Sequence, residues 1–181
     1  MILDSYYWRK ELSCMMDELV SCFRFLAKYA DRFDRHPVLN RIVERKEYIV
    51  ERDLLLSAFI VRTLFEAGKL SDEMADYGLN IVSYPATPKN TKKLMPFLGR
   101  FPDDDLYDYN RPAQLIIPGR RFVNQLIHAA VIPCFDFGNN TRPAAFMVVS
   151  DRFAQNCLYR CELDVWVEFV REVVHDEVNS V

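Results

Sequence analysis

Arg121, Asn124, Gln125 and His128 lie three, four and seven residues along from the first of them, so on a helix of 3.6 residues per turn they form one polar stripe. The residues between and beyond them, Phe122, Val123, Leu126, Ile127 and Ala129, are apolar. An arginine and a histidine on one helical face suit metal-independent RNA cleavage. Imidazole can move the proton of a 2′-hydroxyl or of a leaving group near neutral pH, and a guanidinium stabilises charge on a phosphorane. This reading makes His128 the general acid or base, Arg121 the phosphate stabiliser and Asn124 an orienting group. Gln125, Arg120, Lys92 and Lys93 are then expected to hold the substrate. It calls for no metal and no cofactor. The plainer reading of the same stripe is a solvent border, or a hydrogen-bonded core histidine with Asn124 capping a neighbouring backbone group.

Few other groups in the chain could do chemistry. There is no phosphate-binding loop, Gly-rich dinucleotide turn, His-Glu-x-x-His pair or Gly-x-Ser-x-Gly elbow. Asp103, Asp104, Asp105 and Asp108 offer oxygens to a hard cation, but their spacing fits no calcium loop. A thiolate site requires Cys134, Cys157 and Cys161 to meet His128, whereas isolated cysteines usually serve as small buried hydrophobes. A cysteine nucleophile partnered by His36, His128 or His175 is compatible with the sequence, and nothing selects one pair. His175, beside Asp176 and Glu177, reads as a solvated helix end, and His36 before Pro37 as a corner. Tyr6, Tyr7 and Trp8 lack the surrounding basic stripe of a base-stacking surface and are expected to dock on the core or on a partner chain.

The segment from Arg121 to His128, with a polar Asn124 four residues before the histidine, resembles the loose Arg-x(4–6)-His motif of HEPN-type proteins, many of which are ribonucleases. The resemblance implies a bundle of four or five helices, two of them long. It also implies a homodimer in which Arg and His of each protomer meet in a composite site that acts on RNA. Two departures stand against it. Phe122 occupies the place after Arg121 where that family usually has a polar residue, and two strands near the C-terminus are no part of such a bundle. NQLIHA is also similar to segments of small bacterial proteins of no assigned function.

The elements that must position these residues follow from periodicity. Leu12, Leu19, Leu26 and Phe33 recur in heptads with Met15 or Met16, Cys22 or Phe23 and Tyr29 or Ala30 between them, which predicts a long amphipathic helix from about Ser5 to before Pro37. A second helix is expected from about Val38 to Ala67, stopped by Gly68 and apolar almost all round from Leu54 to Phe65, hence central. Their short connection predicts an antiparallel hairpin spanning about 5–67. An irregular excursion over 69–110 follows. It includes a short helix after Ser71 closed by Gly78, a strand in LNIVSY, a basic cluster (Lys89, Lys92, Lys93, Arg100) and several prolines, and it is a candidate lid. RRFVNQLIHAAVI is expected to be helical from Pro118 until Pro133. AAFMVVS and CLYRCEL predict a β-hairpin with Cys157, Tyr159, Cys161 and Leu163 on one face. Asp164 is placed to cap a last helix carrying Trp166, Phe169, Val170, Val173 and Val174. The last three elements together span 118–179. The expected fold class is α+β, mainly α, in a single domain.

Composition narrows the function classes. Half of the 181 residues are apolar, 13% are aromatic and only five are glycine, which excludes disordered and fibrous classes. With 23 basic against 26 acidic residues, the net charge of −3 gives no general attraction to phosphate, so any RNA must meet a local basic patch. Five cysteines, with no Cys-x-x-Cys pair, read as reduced thiols, and with no signal peptide the expected location is the cytoplasm. No stretch approaches a membrane span. The contrasting function class is a non-catalytic interaction or regulatory protein acting through its long helices, with a partner protein or a second copy.

Overall fold

The computed structural model describes residues 5–29, 37–89, 106–131, 135–136, 143–150 and 156–176. Its first layer is the expected helical hairpin, α1 (Tyr6–Tyr29) and α2 (Pro37–Glu66). The heptad residues Leu12, Leu19 and Leu26 are fully buried, with Met16, Cys22 and Phe23 beside them. Each such side chain contributes roughly 1.5–3 kcal/mol by leaving water. The helices run antiparallel: Arg52 of α2 bonds Glu18 of α1 at 2.9 Å, and Arg9, near the start of α1, donates to the Lys69 carbonyl beyond the end of α2 at 2.8 Å. Gly68 ends α2 as expected. It has φ +63°, Gly68 N–H donates to the Phe65 carbonyl and Lys69 N–H to the Leu64 carbonyl, the paired bonds of a left-handed helix stop.

The second layer is an antiparallel sheet of β1 (Gly78–Pro85), β2 (Ala113–Pro118), β3 (Ala129–Val131), β4 (Phe135–Asp136), β5 (Ala145–Ser150) and β6 (Cys157–Glu162), in the order β2-β1-β6-β5-β3 with β4 also on β5. The short α3 (Asp72–Asp76) enters β1, α4 (Gly119–Ile127) leaves β2, and α5 (Leu163–His175) leaves β6. Alternation along the strands gives the sheet two apolar faces. Leu79, Ile81, Ile117, Phe146, Val148, Tyr159 and Cys161 join the helices in the main core. Val149 and Leu158 point the other way and pack with Tyr107 in a smaller cluster. Trp166, fully buried on α5, anchors the main core between Phe122, Phe146 and Phe169, with ring centroids 6.0, 6.4 and 5.6 Å away. At Gly119, a Cβ would sit 2.4 Å from Cε2 of Phe169, so only glycine lets the β2-to-α4 junction approach α5 this closely.

The fold class is α+β, mainly α, with five helices among the described residues. Several boundaries differ from expectation. The helix begun at Pro118 does not continue to Pro133 but ends at Ile127, and Ala129–Val131 pairs with β5 instead. Its apolar run of alanine and valine fits either state, and the free edge of β5 decides for the strand. The predicted C-terminal hairpin exists, with Met147 opposite Arg160, but it is the middle of a larger sheet because β1 pairs on the far side of β6. Within 69–110, LNIVSY is indeed a strand, and Gly78 opens it without closing α3, whose last cap is Tyr77. Ser71 caps α3 by accepting from Met74 N–H at 3.2 Å. The last helix starts one residue before Asp164, with Glu162 at the cap position and no side-chain cap bond.

Candidate functional site

Gly119 to Ile127 forms α4 because β2 ends at Pro118, whose fixed φ leads into a first turn, while Phe122, Val123 and Leu126 give it a buried side. Arg120 and Arg121 are exposed, Asn124 is half-buried, and His128 is exposed just past the last turn. His128 is the residue that closes the helix: its backbone N–H donates to the Asn124 carbonyl at 3.2 Å. Arg121 and His128 therefore share one side of the element, separated along its axis by roughly 10 Å at ~1.5 Å per residue. An extended arginine and an imidazole can both reach a group lying between them. Gln125 does not belong to this surface. It is only 8% exposed, so the stripe predicted from spacing loses the member assigned to substrate binding. Gln125 is buried because it follows Phe122 and precedes Leu126 on the flank of α4 that packs into the core.

Strand β6 supplies neighbours that helical spacing could not reveal. Tyr159 lies in the field of Arg121 and is hydrogen-bonded to Cys157 two residues back on the same strand face. Its phenol is pushed up to about 12, first by burial, then by the bond and proximity to Cys157, with Arg121 pulling in the opposite direction. The shared face of Cys157, Tyr159 and Cys161 was readable from alternation; that it lies near Arg121 depends on how α4 crosses the sheet. Burial also drives the Cys161 thiol well above its ordinary value, with Glu162 adding to the effect, so this cysteine is a core residue.

Lys92, Lys93, Arg100, Asp103, Asp104, Asp105, Cys134, His36 and Glu177 lie outside the described residues. Asp108 accepts from Asn110 N–H at 3.1 Å, and its own carbonyl receives Arg111 N–H, the bonds of a local turn. Among the described residues no group of three or more His, Cys, Asp or Glu side chains is placed to hold a metal ion. His175 is exposed at the end of α5. Tyr6 and Tyr7 are exposed and meet edge to face at 5.4 Å, while Trp8 is 37% exposed at the same end of α1. A cleft of about 480 Å³ is lined by Thr87, Lys89, Tyr107 and Tyr109 among others, and a second of about 330 Å³ follows α5; residues of α4 line neither.

Asp53 of α2 is a buried polar group that the periodicity of the sequence did not single out. It is fully buried, one oxygen accepts from Arg52 at 2.8 Å and the other has no partner. Burial raises its carboxyl, against the pull of Arg52, with Glu18 and Glu11 on α1 adding in the same direction as burial. Compared with known proteins, the chain matches no family model, no curated protein sequence and no solved structure. Among the described residues no helix is long and apolar enough to cross a membrane.

Proposed function

We propose that the exposed side of α4 is a phosphodiester site that cleaves RNA without a metal. The observation that supports it is the joint exposure of Arg121 and His128 on one side of the element, with Asn124 half-buried between them. Arg121, assisted by Arg120, neutralises the phosphate. His128 takes the 2′-hydroxyl proton or supplies one to the departing 5′-oxygen, and Asn124 orients the imidazole or the substrate. The 2′-oxygen attacks phosphorus and the bond to the 5′-oxygen breaks, leaving a cyclic phosphate and a free hydroxyl. Cys14, Cys22, Cys157 and Cys161 are free thiols, which suits the reducing cytoplasm where RNA is abundant.

The test is cleavage of a mixed RNA pool in excess chelator by the wild type, His128→Ala and Arg121→Ala, each checked for native circular dichroism. His128→Ala is expected to lower the rate by ~10²–10⁴-fold, the usual contribution of a positioned proton-transfer group. Wild-type protein that cleaves nothing at high concentration would sink the reading. In that case the second reading, a non-catalytic interaction protein, gains. Its supporting observation is that Tyr48, Leu56 and Phe59 of α2 are 63, 42 and 55% exposed, an apolar side on a helix whose other side fills the core.

A further inference from the structure

β2 lies at one end of the strand order, and among the described residues it pairs on one side only, with β1. Antiparallel pairing fixes which of its backbone groups that partner uses. Gly119 N–H donates to the Tyr77 carbonyl at 2.7 Å, and the register Gly78 opposite Pro118 continues from that bond. Alternation then directs the N–H and C=O of Ala113, Leu115 and Ile117 towards β1, and those of Gln114 and Ile116 outward. The segment Ala113–Pro118 carries no charge, and the protections usual on a free edge, a mid-strand charge, proline or bulge, are missing from it. Ile116 is 73% and Leu115 39% exposed, on opposite faces of the sheet.

We propose that β2 is a self-pairing edge through which two copies of this chain join their sheets about a twofold axis. The occupant is a second copy because the outward groups complement themselves. When Leu115 faces Leu115 of the other copy, Gln114 of each chain stands opposite Ile116 of the other. All outward N–H and C=O groups of these residues then bond in pairs, and no donor is required of Pro112 or Pro118. Shifting the axis to Gln114 or Ile116 sets an outward group against a proline and leaves it unbonded. Without a charge between Ala113 and Pro118, nothing in the strand repels its copy. The two α4 helices leave opposite ends of the paired strands, on the order of 20 Å apart for six residues. Each Arg121–His128 pair thus works within its own protomer, and the inference stands apart from the cleavage reading.

Light scattering after size exclusion tests it. The wild type is expected at twice 21.3 kDa, about 43 kDa. Gln114→Pro removes an N–H that faces away from β1, so the monomer keeps its ladder while association weakens by about ten- to a hundredfold, the effect of two lost backbone bonds. A wild type that remains monomeric into the sub-millimolar range overturns the proposal, as does a dimer that persists in natively folded Gln114→Pro. Should that variant fail to fold, Leu115→Cys decides. Residues facing each other in a non-hydrogen-bonded pair have Cα atoms ~4.5 Å apart, within disulfide reach, so oxidation should cross-link this variant well beyond the wild type and Asn80→Cys. Equal cross-linking in all three overturns it.

Discussion

The two faces of the sheet are built to different standards. On one, α1, α2, α4 and α5 lay a continuous core in which Leu12, Leu54, Phe122 and Trp166 are fully out of water. On the other, Tyr107, Val149 and Leu158 form a small cluster at one end, with the tilted rings of Tyr84 and Tyr109 in contact at 5.1 Å beside it, and Asn80 and Ile116 at the other end face solvent. The contrast teaches where stability and interaction reside. A sheet face covered by amphipathic helices has its own side chains closed to partners, whereas among the described residues the other face and its β2 edge keep both apolar side chains and backbone groups available.

Three changes sharpen or break that comparison. The largest expected effect is Trp166→Ala, which empties the centre of the covered face and should cost about 3–5 kcal/mol, seen as a large fall in melting temperature. A small fall would place α5 at the periphery and dissolve the contrast. Leu158→Ala on the opposite face is expected to cost less, about 2–3 kcal/mol, since the smaller cluster can relax towards solvent. If urea denaturation shows it equal to Trp166→Ala, the second cluster is as integral as the first. The smallest effect concerns Asp53. Its folded carboxyl is raised, so between its ordinary value and the folded one the native state binds more protons than the unfolded chain, and stability falls as pH rises through that window. Asp53→Asn removes this dependence. The stability of the wild type relative to Asp53→Asn should therefore rise as pH drops from neutral towards the ordinary carboxylate value, and a difference independent of pH would contradict the burial of that group.

Legibility in the sequence followed the range of the forces involved. The Leu12–Leu19–Leu26 repeat, the stop at Gly68 and the start of a short helix after Ser71 are local effects of helical period, glycine φ and side-chain acceptors, and each appears where spacing placed it. The polar stripe on α4 was legible only in part. Spacing put Arg121, Asn124, Gln125 and His128 together, but the packing of Phe122 and Leu126 turned Gln125 inward, and the pairing of Ala129–Val131 with β5 cut the helix short at His128. Tyr159 and Cys157 could not be assigned to that neighbourhood, because nothing local relates β6 to Arg121.

By itself, then, the order of residues determined the existence and kind of the helices and of the strands in LNIVSY, AAFMVVS and CLYRCEL, since amphipathic period and turn chemistry act within a few residues. Only the tertiary structure decided that LNIVSY joins the hairpin of the other two in one sheet, that among the described residues β2 is its edge, and that Asp53 is buried. Strand partners are chosen by backbone groups common to every residue, and burial depends on which surfaces the packed layers bring together.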